Sequence, residues 1–275
     1  MSDTVELVHT DTGAGQPALV LIHGLCCDLS DWAPQVAAFA ATHRMIIPTL
    51  RGHGQALNPS PHGDGELDMA TLARDVVALL RAKGITEALV GGHSMGTRVA
   101  HEVRRQAPDI VKGLILVDGS DSALGNAARA LGQFEEATAG DRVKPWLKGM
   151  FEIMFYGNRF DALKNACVER ALMMPDDDVR SLYRGIINWD GDSADEVMRD
   201  VNVPTLVLQT TTRGEDGIRR DLKPGEEGHY PGVVKSRIAD AEVKALAGHG
   251  HFTSLEAPEW TNDAIADWMK RHSWA

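Results

Sequence analysis

Short, continuously apolar runs alternate along this chain with longer stretches in which apolar residues recur every three or four positions. The runs at 18–22 (ALVLI), 44–49 (RMIIPT), 87–92 (EALVGG), 113–118 (GLILVD) and 204–209 (PTLVLQ) predict strands. Their lack of polar alternation is expected of strands buried on both faces, as in a parallel sheet covered by helices. Weaker strand patterns lie at 5–9 and 243–246. Between the runs, 68–84 places Leu72, Val76, Leu79 and Leu80 on one helical face and ends at Gly84. The stretch 95–108 predicts a helix that follows a strand directly and stops at Pro108. Near the C-terminus, 258–272 carries Trp260, Ala264, Ile265 and Trp268 at helical spacing, a face suited to packing on the sheet. The fold class predicted is α/β, with a mostly parallel central sheet flanked by helices.

One region breaks the alternation. Residues 119–200 hold no convincing strand but several helical pieces rich in Met, Phe, Leu and Trp, such as 144–157 (KPWLKGMFEIMFYG). A structureless loop of that length is implausible in a compact domain. The expected organisation is a core domain of 1–118 and 201–275, with 119–200 inserted as a helical cap over the C-terminal edge of the sheet.

Composition narrows the function classes. With 275 residues and 43% hydrophobic content, the chain can bury a core without metals or disulfides. A net charge of −11 disfavours non-specific nucleic-acid binding, which depends on basic residues at phosphates. No run approaches the roughly 18 apolar residues that would span a bilayer, so no membrane partner is expected. The opening MSDTVELVHT lacks the basic-then-apolar pattern of a secretory signal. Of three cysteines, Cys26 and Cys27 are adjacent and Cys167 stands apart, which makes no disulfide framework. The expected compartment is the cytoplasm. Oligomeric state leaves no signal.

The chemistry concentrates in 92–96, Gly-His-Ser-Met-Gly, set between an apolar strand and a helix. A chain turning sharply from strand to helix at a serine needs small residues two before and two after it. The turn exposes the serine oxygen and places the next backbone N–H at a helix N-terminus, where an anion is stabilised. A phosphate-loop reading fails because no Lys-Ser/Thr follows Gly96. The segment therefore reads as a nucleophile elbow carrying Ser94.

At this point the chain resembles the α/β-hydrolase superfamily, specifically single-domain members with a helical cap. His23-Gly24, after the strand at 18–22, is similar to the family's HG oxyanion loop. Arg51-Gly52-His53-Gly54 is similar to its R-G-x-G turn. Gly250-His251-Phe252, followed by Leu255-Glu256-Ala257-Pro258, is similar to the loop that carries the catalytic histidine. The resemblance implies Ser94 as nucleophile, His251 as base, and the backbone N–H groups of Leu25 and Met95 as the oxyanion hole. It implies a supporting role for His23 and turn-forming roles for Arg51 and His53. His249 competes with His251 for the role of base but fits the spacing less well. His93 should point away from the serine and serve in packing.

The acid departs from the commonest family pattern. Most members carry it in a G-x-x-D segment after the strand at 204–209, but here the chain runs Thr210-Thr211-Thr212-Arg213-Gly214-Glu215-Asp216. Members with the acid one strand earlier carry it about two dozen residues after the nucleophile, where Asp118 stands. An unpaired carboxylate at the end of a buried strand is costly, and a histidine partner would relieve that cost. Asp118 is the expected acid, with Asp216 and Glu215 as the alternatives.

The resemblance implies a serine hydrolase that needs no cofactor and no metal. It would cleave an ester, thioester, lactone or a carbon–carbon bond beside a carbonyl in a small, largely apolar substrate. Met150, Phe151, Met154, Phe155 and Tyr156 are expected as cap wall or cap core. Arg219, Arg220 and Lys223 read as solvated surface, or as a site meeting a substrate carboxylate. A cofactor-free dioxygenase of N-heteroaromatic rings, built on the same fold, and a non-enzymatic ligand sensor are the competing readings.

Overall fold

The computed structural model describes residues 4–54, 67–120, 126–214 and 218–274. Its main sheet has seven strands: β1 (His9–Thr12), β2 (Ala18–Ile22), β3 (Met45–Pro48), β4 (Ala88–His93), β5 (Val111–Val117), β6 (Thr205–Gln209) and β9 (Glu242–Ala245). Their spatial order is β1-β3-β2-β4-β5-β6-β9. Every pairing is parallel except that of β1 with β3. A separate antiparallel hairpin pairs β7 (Thr211–Arg213) with β8 (Arg219–Asp221).

Side chains alternate across the strands and sort the core into two layers. Leu19, Leu21, Leu89, Ile115 and Val117 face Trp32, Phe39, Ile265 and Trp268, on the side covered by α1 (Ala33–Phe39) and α11 (Pro258–Arg271). Val20, Ile22, Val90, Leu114 and Leu116 face the other way. That side is covered by α2 (Met69–Ala82) and α3 (Met95–Gln106), and the same cluster takes in Leu72, Val76 and Val99. The helix α2 starts where Asp68 accepts a hydrogen bond from the N–H of Thr71 at 2.6 Å. Trp268 of the C-terminal face packs fully buried on the sheet, as its spacing predicted.

Between β5 and β6 the described residues form only helices: α4 (Ala127–Ala137), α5 (Val143–Glu152), α6 (Asp161–Leu172), α7 (Asp176–Asn188), a π-helical turn (Trp189–Ser193) and α8 (Ala194–Arg199). Two further short helices, α9 (His229–Lys235) and α10 (Thr253–Glu256), flank the last strand. Among the described residues no helix is long and apolar enough to cross a membrane.

Two edge elements differ from the sequence expectation. The first strand lies at His9–Thr12 rather than 5–9. As an edge strand with one neighbour it is held by its ladder to β3, so the polar HTDT serves without an apolar run. The hairpin β7–β8 is too short and polar to leave a hydrophobic period.

From β2 the chain crosses to β3 on one side and then to β4 on the other. The strand order therefore reverses between β2 and β4, which is where open α/β sheets place their sites. Ile22 is in register with Gly92, His93 with Val117, and Val117 with Leu208. The residues leaving these four strands, His23-Gly24, Ser94, Asp118 and Thr210, thus emerge side by side on one edge.

Candidate active site

Ser94 stands between β4 and α3 with φ +55° and ψ −114°, a conformation that L-residues rarely adopt. The close approach around it explains the flanking glycines. A Cβ on Gly92 would lie 2.0 Å from the carbonyl oxygen of Gly96, and one on Gly96 would lie 2.5 Å from that of Ile22. Small residues at both positions let α3 start directly above β4 while touching the end of β2. Met95 is the first residue of α3, so its N–H has no intrahelical acceptor. Leu25 lines the same cavity as Ser94 and Met95. Neither the Met95 nor the Leu25 amide has an acceptor among the described residues.

The loop holding Leu25 is braced by His23. Its Nε2 accepts from the Leu50 N–H at 2.9 Å, so Nδ1 donates to the carbonyl of Gly24 at 2.8 Å. Burial holds this imidazole well below its ordinary pKa and keeps it neutral. Arg51 makes a buried two-point ion pair with Asp75, both contacts at 2.7 Å, and His53 packs edge-on against His23. The histidine brace and the arginine turn thus stand behind the cavity.

Asp118 follows β5 with φ +43° and is fully buried. Its Oδ1 accepts from the amides of Thr210 and Thr211, both at 2.8 Å. Its Oδ2 accepts from the Thr211 hydroxyl at 2.5 Å and from His251 Nδ1 at 2.6 Å. The Thr210 hydroxyl lies 3.2 Å from Oδ1, but its single proton goes to the carbonyl of Gly250 at 2.7 Å. These donors outweigh desolvation and hold the carboxyl below its usual pKa. An ionised Asp118 fixes the proton of His251 on Nδ1 and leaves the lone pair on Nε2. Burial, joined by the charge of Arg219, holds His251 below the ordinary imidazole range.

The backbone of His251 is anchored as well. Its N–H donates to the carbonyl of Met154 at 2.6 Å, and Glu256 accepts from the amides of Gly250 and Phe252. His93 does more than pack. Its Nε2 donates to the carbonyl of His251 at 2.8 Å, and the two rings lie 4.6 Å apart between centroids. Nothing in the local sequence signals this contact, because it joins the end of β4 to a loop far along the chain. Ser94 and His251 line one cavity of about 380 Å³, but no hydrogen bond joins Ser94 Oγ to His251 Nε2. His249 turns its Nδ1 to the carbonyl of Ala247 and is not among the lining residues. Asp216 and Glu215 lie outside the described residues.

The cavity wall corrects several expectations. Met150, Phe151 and Met154 line it, whereas Phe155 stacks on Phe252 and Tyr156 is 44% exposed. Cys27 lines it as well, while burial pushes the neighbouring Cys26 thiol up to about 12. Of the three basic residues after β7, Arg220 pairs with Glu226 at 2.7 Å and Lys223 is exposed. Arg219, on β8 of the unforeseen hairpin, instead has its side chain 9% exposed and lines the cavity. Across the cavity Arg98 is bound to Asp190 of the π-helical turn at 2.6 Å and to the carbonyls of Ser94 and Ser120.

Known proteins resemble this chain over most of its length. A component of the acetoin cleaving system of Pseudomonas putida, a dihydrolipoyllysine-residue acetyltransferase, is 30% identical over 264 residues. That alignment takes in 94% of this chain, which spans only 65% of the relative's length. A putative esterase/lipase of Haemophilus influenzae is 23% identical over 93% of this chain and 84% of its own. In three dimensions, the malate-bound thermophilic esterase of Thermogutta terrifontis superposes with a TM-score of 0.77. It covers 96% of this chain and 93% of that one at 24% identity. The family model described as "Alpha/beta hydrolase family" matches residues 19–264, from within β2 to within α11. That span includes the strand–turn–helix unit and the histidine loop, and the chain belongs to the alpha/beta hydrolase family and is a hydrolase.

Proposed function

We propose that this hydrolase cleaves a carboxylic ester or lactone through an acyl-Ser94 intermediate. The observation that carries the reading is the Asp118–His251 pair, whose free Nε2 belongs to the same cavity as Ser94 and two uncommitted amides. Ser94 Oγ attacks the carbonyl carbon while His251 Nε2 takes its proton. The N–H groups of Leu25 and Met95 receive the charge that develops on the carbonyl oxygen, each worth about 3–4 kcal/mol in such sites. His251 returns the proton to the departing alkoxide. Water, deprotonated in its turn at Nε2, then releases the acid from Ser94. Asp118 keeps the proton on Nδ1 and stabilises the imidazolium that forms at each step.

Residues 119–200 act in this reading as a cap over the core formed by 1–118 and 201–275. Its Met150, Phe151 and Met154 supply an apolar wall for the substrate. The Arg98–Asp190 pair ties that cap to α3, and the His251–Met154 hydrogen bond ties it to the histidine loop.

The test is turnover of 4-nitrophenyl esters from acetate to octanoate, with and without fluorophosphonate pretreatment, and mass spectrometry of the labelled residue. Turnover abolished in step with labelling of Ser94 is the expected result. Ester turnover that survives complete labelling, or that persists in Ser94→Ala, would rule the mechanism out.

A further inference from the structure

Arginines line the cavity of a chain whose net charge is −11. Among the described residues its lining contains Arg98, Arg213 and Arg219 and no aspartate or glutamate. Arg98 is committed to Asp190. Arg219 is different. Its side chain is 9% exposed, and Nη1 donates to the Thr211 hydroxyl at 2.5 Å, with Asp118 Oδ2 more distant at 3.4 Å. Nε and Nη2 have no acceptor among the described residues. A guanidinium carries five N–H donors in a rigid fork, and the two nitrogens left over present the edge that takes a carboxylate at two points.

Asp118 cannot serve as the full counter-ion. Its four short contacts come from two amides, the Thr211 hydroxyl and His251. Burial pushes Arg219 down to about 10, so it stays charged at neutral pH. A carboxylate in the cavity would offset the cost of that burial.

We propose that Arg219 is a specificity residue that binds a carboxylate of the substrate, so that the preferred substrates are short esters or lactones bearing a free carboxylate. This rests on the reading of Ser94 as nucleophile. Because Arg219 and His251 share one oxygen of Asp118, the bound carboxylate lies on the imidazole side of the cavity, within a few atoms of the scissile bond.

The experiment compares kcat/KM for two matched pairs of substrates. Monomethyl succinate is set against methyl 4-methylpentanoate, with the charge on the acyl side. 3-Acetoxypropanoate is set against 3-methylbutyl acetate, with the charge on the alcohol side. In at least one pair the anionic member should be preferred by the wild type. Arg219→Gln should lower that preference by about 10- to 100-fold, the worth of a charged hydrogen bond. Arg219→Lys, which keeps the charge without the fork, should fall between. Using the ratio cancels any loss common to both substrates from disturbing Asp118. A ratio near one in both wild-type pairs, or one unchanged in Arg219→Gln, overturns the proposal.

Glutarate binding, followed by calorimetry, reads the same subsite without turnover. It should be weakened in Arg219→Lys and further in Arg219→Gln; equal affinity in wild type and Arg219→Lys overturns the proposal even where the glutamine variant does not fold. Arg219-dependent glutarate binding by a protein whose Ser94 resists fluorophosphonate would sink the serine mechanism and leave the anion subsite standing.

Discussion

Replacing Asp118 by asparagine is the sharpest probe of how the site is wired. The side-chain oxygen of the asparagine must face the amides of Thr210 and Thr211, because an NH2 group there would oppose two donors at 2.8 Å. Its nitrogen then takes the place of Oδ2 and presents an N–H to His251 Nδ1, 2.6 Å from that position in the wild type. The imidazole can meet a donor only by accepting, so its proton moves to Nε2 and no lone pair faces Ser94. The imidazolium also loses its counter-charge. In serine triads that combination lowers turnover about 10⁴-fold, equivalent to about 5 kcal/mol of transition-state stabilisation. Arg219 loses its neighbouring carboxylate as well, so the melting temperature should fall too, and activity must be read on folded protein. Turnover of 4-nitrophenyl butyrate and the second-order rate of fluorophosphonate labelling should fall together, since both need an activated serine. A folded Asp118→Asn variant that loses less than tenfold would refute the reasoning. If Asp216→Asn or Glu215→Gln brings the large loss instead, the acid lies there.

His251→Ala should abolish ester turnover as fully as Ser94→Ala, whereas His249→Ala should cost less than tenfold; equal losses in steady-state kinetics would mean the base is misassigned. His251 must be neutral to act, and burial with Arg219 holds its pKa below 6.5. Hence kcat/KM for a neutral ester should persist as pH falls below 6.5 and fail only on passing through the lowered pKa, and Arg219→Gln should move that acid limb upward. A wild-type limb at or above 6.5 would contradict this electrostatic account. His101 lies buried against Trp189 with neither ring nitrogen hydrogen-bonded among the described residues, and its pKa is pushed down to about 3. The unfolded chain binds a proton there near 6.5 and the folded one does not. Stability should therefore fall as pH drops from 6.5 towards 3, by up to about 1.4 kcal/mol per pH unit from this residue. His101→Phe should flatten that slope in urea titrations run across the window, and an unchanged slope would exclude His101 as its source. Gly96→Ala puts a Cβ against the carbonyls of Ile22 and His23, so it should part the elbow from the oxyanion loop; labelling at the wild-type rate would show that the loop can give way.

What could be read in advance follows from which constraints are local. The five central strands were legible because burial on both faces leaves an uninterrupted apolar run, and the observed bounds differ by one or two residues at most ends. The elbow was legible because Gly92 and Gly96 are imposed by contacts of 2.0 and 2.5 Å that any side chain would violate. The edges were less so. The strand β1 has a single neighbour and needs no hydrophobic signature, so the apolar pattern points to 5–9 and the strand lies at His9–Thr12. The hairpin β7–β8 is held by backbone pairing and by the Arg219–Thr211 hydrogen bond, which no periodicity reports. His93, assigned to packing alone, bonds the backbone of a residue far along the chain.

In the proposed mechanism, Asp118 as the acid and Arg219 at the cavity both depend on one segment, the loop after β6. In the commoner family pattern the loop after β6 supplies the carboxylate. Here that loop opens with Thr210 and Thr211, whose amides and one hydroxyl are spent on a carboxylate arriving from β5. A segment that donates to Asp118 must keep its N–H groups turned inward, and the hairpin that follows does this while carrying Arg219 back to the cavity. The cation is therefore part of the environment that lets a carboxylate stay ionised at the end of a buried strand. It also lines the cavity, where the proposed carboxylate would meet it. Substitutions at 210 and 211 should accordingly disturb both the base and the anion subsite, whereas changes in the apolar wall at Met150 or Met154 should alter chain-length preference and leave the acid limb of the pH profile in place. If Met150→Ala shifted that limb as far as Thr211→Val does, the two functions would not be separable along this hairpin.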